Sequence, residues 1–119
     1  AKLLQLYLNE GSYGGEQYVS QKTAHRFVPQ TSSVSRRGLG FDKPDKKNEN
    51  NSPACPEASE KAYGHYGYTG TAFWVDPANE TIYIFLCNRV YPNRWNNKLS
   101  SLDIRTRIHS AMYQAITQP

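Results

Sequence analysis

The stretch from Ala72 to Cys87 constrains the fold more than any other part of this chain. Ala72 and Trp74 alternate with Phe73 and Val75, and Asp76-Pro77-Ala78-Asn79 supplies turn chemistry. Thr81-Ile82-Tyr83-Ile84-Phe85-Leu86-Cys87 then returns as an almost unbroken apolar and β-branched run. The pattern predicts a β-hairpin. Because its second strand is apolar on both faces, that strand is expected to lie centrally in the sheet and to be covered on both sides. Asn88 to Asn97 reads as a polar turn region with a proline. Ser101 or Leu102 then opens a helix whose apolar face comprises Leu102, Ile104, Ile108, Met112, Ala115 and Ile116, and this helix is expected to pack on the sheet. The fold class is therefore α+β: an antiparallel sheet of about three strands packed by a C-terminal helix.

Upstream, Leu3, Leu4, Tyr7 and Leu8 fall at helical spacing within Ala1 to Asn9, and Glu10-Gly11 with Gly14-Gly15 ends that helix. The helix begins without a capping residue, an initiator methionine or a signal peptide, which reads as a cut through a helix. Ser20 is a good N-cap for a second short helix through about Phe27, and His25 on it is expected to be structural or exposed. Arg36 to Phe41 is a strand candidate, with Leu39 and Phe41 on one face and Gly38 and Gly40 on the other, beside a closely approaching neighbour. Residues 42–61 hold three prolines and almost nothing to bury, which predicts a long polar surface loop.

With 119 residues the chain has the size of one small folding unit. Its formal net charge of +4 would permit anionic partners, but no basic run exceeds two residues, so a nucleic-acid footprint is not expected. No apolar stretch approaches the length of a membrane span. Cys55 and Cys87 are too few for a disulfide framework and lack metal-ligand spacing; a bridge between them stays open. Cys87 fits a small buried hydrophobe, and Cys55 lies between two prolines in a loop. His25, His65 and His109 are too far apart to suggest a metal site, and no cofactor is expected.

The order of these segments, with Gly64-His65-Tyr66-Gly67-Tyr68-Thr69-Gly70-Thr71 before the hairpin and Asn88-Arg89-Val90-Tyr91-Pro92-Asn93 after it, resembles the C-terminal part of class C β-lactamases and related esterases and penicillin-binding proteins. In that superfamily S-x-x-K supplies the nucleophile, a Tyr or Ser motif assists proton transfer, and K-T-G lines the opposite wall. The resemblance puts His65-Tyr66-Gly67 in the third position, with His65 in place of the lysine. Since histidine titrates near neutrality, the wall's charge would depend on pH, which leans toward the esterase or peptidase relatives. The resemblance further implies a substrate-contacting role for Tyr66 and Gly67 and an oxyanion-hole donor in the backbone N–H of Tyr68. Asn93 corresponds to a position that contacts the substrate carboxylate, with Arg94 as a nearby cation. Thr69 and Gly70 read as turn-shaping, and Asn88 and Arg89 as ties for the turn that follows the strand.

None of the ten serines has lysine three residues on, so the nucleophile of any such enzyme lies outside this sequence. A local triad of Ser59, His65 and Asp76 has no spacing to recommend it, since triads are defined by geometry. The reading is a cleft wall of a larger serine hydrolase acting on an ester, peptide or β-lactam, inert by itself. The rival is a non-catalytic binding or accessory module of the same fold. The resemblance implies a periplasmic or cell-envelope setting and a sheet completed by upstream residues, which makes a homodimer of this piece an expectation.

Overall fold

Alternation along three strands sorts the large side chains of this chain into two apolar layers, one on each face of a small sheet. The structure, a computed structural model, describes residues 1–117. Helix α1 (Lys2–Leu8) leads into a short hairpin of β1 (Ser12–Tyr13) and β2 (Glu16–Gln17), followed by α2 (Gln21–Phe27). A single 3-10 turn (Glu49–Asn51) interrupts the long connection to β3 (Tyr63–Tyr66), β4 (Ala72–Asp76) and β5 (Thr81–Phe85). Helices α3 (Lys98–Ser101) and α4 (Ile104–Thr117) close the chain. No helix among the described residues is long and apolar enough to cross a membrane.

The N-terminal elements form as their residues dictate. Leu4 is the buried residue of α1, and Gly11, Gly14 and Gly15 adopt positive φ in the turns around the β1–β2 hairpin. The side chain of Ser20 caps α2 by accepting from the Thr23 N–H at 3.2 Å. His25 is exposed and pairs with Glu10 at 3.0 Å.

The sheet is antiparallel in the order β3-β4-β5. The hairpin of β4 and β5 forms with Trp74 opposite Tyr83 and Asp76 opposite Thr81. Its second strand is not central. The middle strand is β4, and β5 forms an edge on which Ile84 and Leu86 are exposed, because no described strand pairs with its other side. Tyr63, Phe73, Val75 and Ile82 face α1 and α2, packing with Leu4, Tyr7, Phe27 and Phe41. Trp74, Tyr83, Tyr66 and Phe85 face the opposite layer with Tyr113 and Met112 of α4. At Gly64 a Cβ would lie 2.6 Å from the indole of Trp74 and would collide with the Phe73 carbonyl, so only glycine lets that ring lie against β3.

Three further expectations need correction. Arg36 to Phe41 forms no strand: a single bridge joins Asp42 to Gly64, Leu39 is exposed and Phe41 is buried. Asp42 competes for this segment. Its buried carboxylate takes Arg36 at 2.7 Å and Arg37 at 3.6 Å, which turns the chain, while Gly38 lies against the carbonyls of Phe27 to Pro29.

The 42–61 connection is not empty of core residues. Ala54, Cys55 and Ala58 are buried against Trp74 and Tyr83, small side chains in and just after a proline-flanked stretch where a hydropathy reading finds no pattern. Both cysteines are free, and Cys87 is half-buried. Burial pushes the Cys55 thiol up to about 12, so it packs as a small hydrophobe.

The C-terminal helix does not present its aliphatic stripe to the sheet. Asp103, at φ 47°, breaks it from α3, and α4 turns His109 and Tyr113 inward. Leu102, Ile108 and Ile116 are exposed, and so is Ala115. Flat rings fill the gap instead. The His109 imidazole stacks on Tyr83 at 4.5 Å between centroids and near-parallel to Trp74 at 6.1 Å, with Tyr113 tilted against it at 5.3 Å.

Candidate active-site wall

The segment that resembles the third catalytic motif is the outer strand of the sheet, and its register decides which groups face outward. Gly64 exchanges both backbone hydrogen bonds with Asp42 across the outer edge of β3, at 3.0 and 2.7 Å. Alternation then aims the backbone of His65 at β4 and that of Tyr66 at the open side. Beyond the strand, the Gly67 N–H donates inward to the Thr71 carbonyl at 2.8 Å, and the Tyr68 N–H has no acceptor among the described residues. The edge therefore runs from the Asp42 bridge to an unengaged peptide donor at Tyr68.

His65 is half-buried, and its Nδ1 lies 2.9 Å from the Tyr66 carbonyl oxygen. Its ring borders two hollows. One, of about 470 Å³, is walled by Leu3, Leu4, Phe73, Ile84 and Leu86 on the α1 side of the sheet. The other, of about 130 Å³, is a notch formed with Arg37 to Phe41. The imidazole thus sits between an apolar floor and a backbone-lined rim that carries Arg37.

Tyr66 departs from the expected role. Alternation sends its side chain to the α4 layer, where its hydroxyl donates to the Pro53 carbonyl and the Arg105 guanidinium lies 3.9 Å from the ring centroid. The ring also meets Trp74 edge-on at 6.2 Å, and burial raises the phenol's pKa. Its side chain is a core residue, unable to touch a ligand on the His65 side. Gly67 remains at the wall, and a Cβ there would lie 2.5 Å from Thr71 Oγ1. Gly70, at φ 106°, shapes the turn against Leu99. Thr69 contributes its carbonyl, which accepts from the Arg89 N–H at 2.8 Å.

Asn93 and Arg94 lie in an exposed loop held to this turn by one side chain. Arg89 Nε donates to the Tyr68 carbonyl at 2.8 Å, and its Nη1 donates to the Arg94 carbonyl at 3.2 Å. Arg89 is thus the tie that the sequence suggests, and it fixes the loop specifically to Tyr68. Asn93 Oδ1 accepts from the Trp95 N–H at 2.9 Å, so its oxygen stabilises the local turn. The Arg94 guanidinium stacks over Trp95 at 4.6 Å. Trp95 is 73 % exposed and stands among asparagines with no apolar neighbour, a sequence pattern that is itself a signal of an exposed contact residue.

Ser59 and Asp76 do meet, but not with His65. Asp76 is buried on the α4 side and accepts five hydrogen bonds: from Ser59 N (2.9 Å) and Oγ (2.5 Å), Ala78 N (3.0 Å), Asn79 Nδ2 (2.8 Å) and Tyr113 Oη (2.7 Å). Burial alone would raise its pKa, yet these donors outweigh it and bring the carboxyl down to about 2. His65 belongs to the other face, so this hub is structural.

An outer strand bearing His-x-Gly, an unengaged peptide donor after it, a hairpin and a closing helix define a piece of a β-lactamase-type hydrolase fold. The chain belongs to the β-lactamase family, whose model matches residues 1–104. It is 33 % identical over 104 residues to a putative D-alanyl-D-alanine carboxypeptidase of Salmonella gallinarum, covering 84 % of this chain and 23 % of that protein. It is 38 % identical over 92 residues to an N-acetylmuramyl-L-alanine amidase of Bacillus subtilis, covering 75 % of this chain and 20 % of that protein. The chain therefore spans about a quarter or less of the length of the curated relatives it matches.

Proposed function

We propose that this chain supplies one wall of a serine-hydrolase cleft, with His65-Tyr66-Gly67 standing where relatives of the fold carry K-T-G. The unengaged Tyr68 N–H at the end of the outer strand carries the reading: acyl transfer places negative charge on a carbonyl oxygen, and one preorganised donor contributes about 3 kcal/mol in the transition state. His65, on the strand that leads to this donor, is the imidazole that faces the cleft. Its Nε2 has no partner among the described residues and would hydrogen-bond the nucleophile's network or a substrate carboxylate. Gly67 leaves room for a substrate backbone, and Asn93 and Arg94 approach from the loop that Arg89 ties to Tyr68.

The nucleophile and its lysine come from the rest of a longer polypeptide, which acts through an acyl-enzyme on an ester, amide, peptide or β-lactam. The names of the two relatives, a D-alanyl-D-alanine carboxypeptidase and an N-acetylmuramyl-L-alanine amidase, favour an amide next to alanine. In that longer enzyme His65→Ala is expected to lower kcat/KM on an N-acyl-D-alanyl-D-alanine peptide by about 100-fold. Unchanged kinetics in a folded variant would remove His65 from the site. The 119-residue chain alone should not hydrolyse nitrocefin or p-nitrophenyl acetate. Turnover by the purified chain would contradict the assignment of the nucleophile to other residues.

Among the described residues the β5 edge is unpaired, and Leu86, Leu102 and Ile116 are exposed. The chain by itself is therefore expected to self-associate at micromolar concentration, read by light scattering after gel filtration. A monodisperse monomer at 100-fold higher concentration would refute this.

A further inference from the structure

Where the outer strand ends at Tyr68, the protein surface becomes aromatic and basic together. Tyr68 and Trp95 expose 70 % and 73 % of their surface, and Tyr91, in the same loop as Trp95, exposes 77 %. A guanidinium covers one side of each of the first two rings: Arg89 at 4.7 Å from the Tyr68 centroid and Arg94 at 4.6 Å from that of Trp95. The stacks form one unit, because Arg89 donates to both the Tyr68 carbonyl and the Arg94 carbonyl. Asn93 Oδ1 holds the Trp95 N–H, and the Asn93 carbonyl accepts from the Asn96 N–H at 3.1 Å, so the rings are set before anything binds.

The chemistry of the patch indicates what it meets. The hollows beside His65 include none of these rings, which lie on the open surface. Small molecules bind in concavities, so an outward aromatic patch suits another extended surface. The Tyr68 and Tyr91 hydroxyls and Trp95 Nε1 have no partner among the described residues. Each ring thus pairs an apolar body with a wet tip, the division that favours Tyr and Trp at a membrane–water interface.

Charge here has one sign. From Thr81 to Leu102 the sequence contains Arg89, Arg94 and Lys98 and no Asp or Glu. Neither the Arg94 guanidinium nor Lys98 Nζ has an acceptor among the described residues. A protein partner presents mixed charges that select particular pairs, whereas an anionic bilayer presents one charge throughout and matches unpaired cations set around aromatic rings.

We propose that this patch docks the protein on an anionic membrane surface, with Trp95, Tyr91 and Tyr68 at headgroup depth and Arg94 and Lys98 on lipid phosphates. Contact of this kind is peripheral and reversible, and it needs no membrane-spanning helix. Docking does not depend on the chemistry of the cleft wall. Because Tyr68 belongs to both, it would bring the rim of that wall to the headgroups.

Trp95 emission from the 119-residue chain provides the test. Trp74, 1 % exposed, is a shielded background, and its resistance to acrylamide shows that a variant is folded. Phosphatidylcholine vesicles containing about a third phosphatidylglycerol are expected to shift Trp95 emission to the blue, saturably, and brominated lipid in them to quench it. Pure phosphatidylcholine should bind about tenfold more weakly. The variant Arg94→Gln with Lys98→Gln keeps the Trp95 reporter. It should bind the anionic vesicles about tenfold more weakly than wild type, and salt at about 0.5 M should weaken the wild type likewise.

No shift with the anionic vesicles, or equal binding to both kinds of vesicle, would overturn the proposal. A shift produced by a poly-glutamate peptide and not by the vesicles would assign the patch to an acidic protein instead. One produced by concentrating the chain, and not by the vesicles, would assign it to a second copy. None of these readouts involves the His65 kinetics, so failure here is separable from failure of the cleft-wall reading.

Discussion

Asp76→Ala is expected to destabilise the chain by about 3–5 kcal/mol, moving its urea midpoint down by more than 1 M or abolishing the transition. The carboxylate gathers donors from three separate stretches of chain: Ser59 from the long connection, Ala78 and Asn79 from the hairpin turn, and Tyr113 from α4. Truncation leaves the buried Tyr113 hydroxyl and the Ser59 N–H without an acceptor, and each unsatisfied buried donor costs roughly 1–3 kcal/mol. Asp76→Asn keeps one oxygen but turns a donor toward other donors, so it should lose about half as much. Domains of this size have only about 5–15 kcal/mol in total, which makes the alanine variant marginal. A midpoint within 0.2 M of wild type would show that the hub is not a keystone.

Acidification is expected to unfold the chain in two steps that can be assigned to named groups. Burial between Trp74, Tyr83 and Tyr113 pulls the His109 pKa from 6.5 down to about 4, against the opposing pull of Glu57 and Asp76. Nδ1 finds no partner among the described residues, so the neutral ring is the form the core accepts. The folded value lies below the unfolded one, so the unfolded chain binds the extra proton. Stability is complete above pH 6.5 and declines as the pH falls toward 4, by roughly 3 kcal/mol. Asp76 follows the same sign. Its carboxyl, held at about 2 against 3.8, loses roughly 2 kcal/mol of stability between those values.

His109→Phe keeps a flat ring in the stack and removes the titration. It should flatten the curve between pH 6.5 and 4 and leave the lower step intact. A wild-type stability that is constant from pH 7 to 4.5 would contradict the account of His109. Below pH 4 the loss of α4 from the sheet should appear as exposure of Trp74, whose indole lies near-parallel to the imidazole.

What was legible in the sequence was local. Turn chemistry at Asp76 to Asn79 and the alternation on either side of it suffice for a hairpin, because a two-residue period and a turn are short-range properties. Ser20 as a helix cap is legible for the same reason. His65, Gly67 and Tyr68 could be placed at a strand and its end from the motif that they form.

Tertiary structure decided everything that depends on which groups compete for the same space. Alternation sent Tyr66 to the core and His65 to the other face, in a register fixed by the bridge from Gly64 to Asp42, a residue at the far end of the long connection, and readable only once that bridge exists. The strand expected at 36–41 gave way to a carboxylate that two arginines approach. The aliphatic stripe of α4 turned outward because Asp103 breaks the helix and the rings of His109 and Tyr113 fill the gap against Trp74 and Tyr83 of the sheet. Periodicity tells a chain where its apolar side lies. Which apolar side meets the sheet is a question of shape, and only the assembled core answers it.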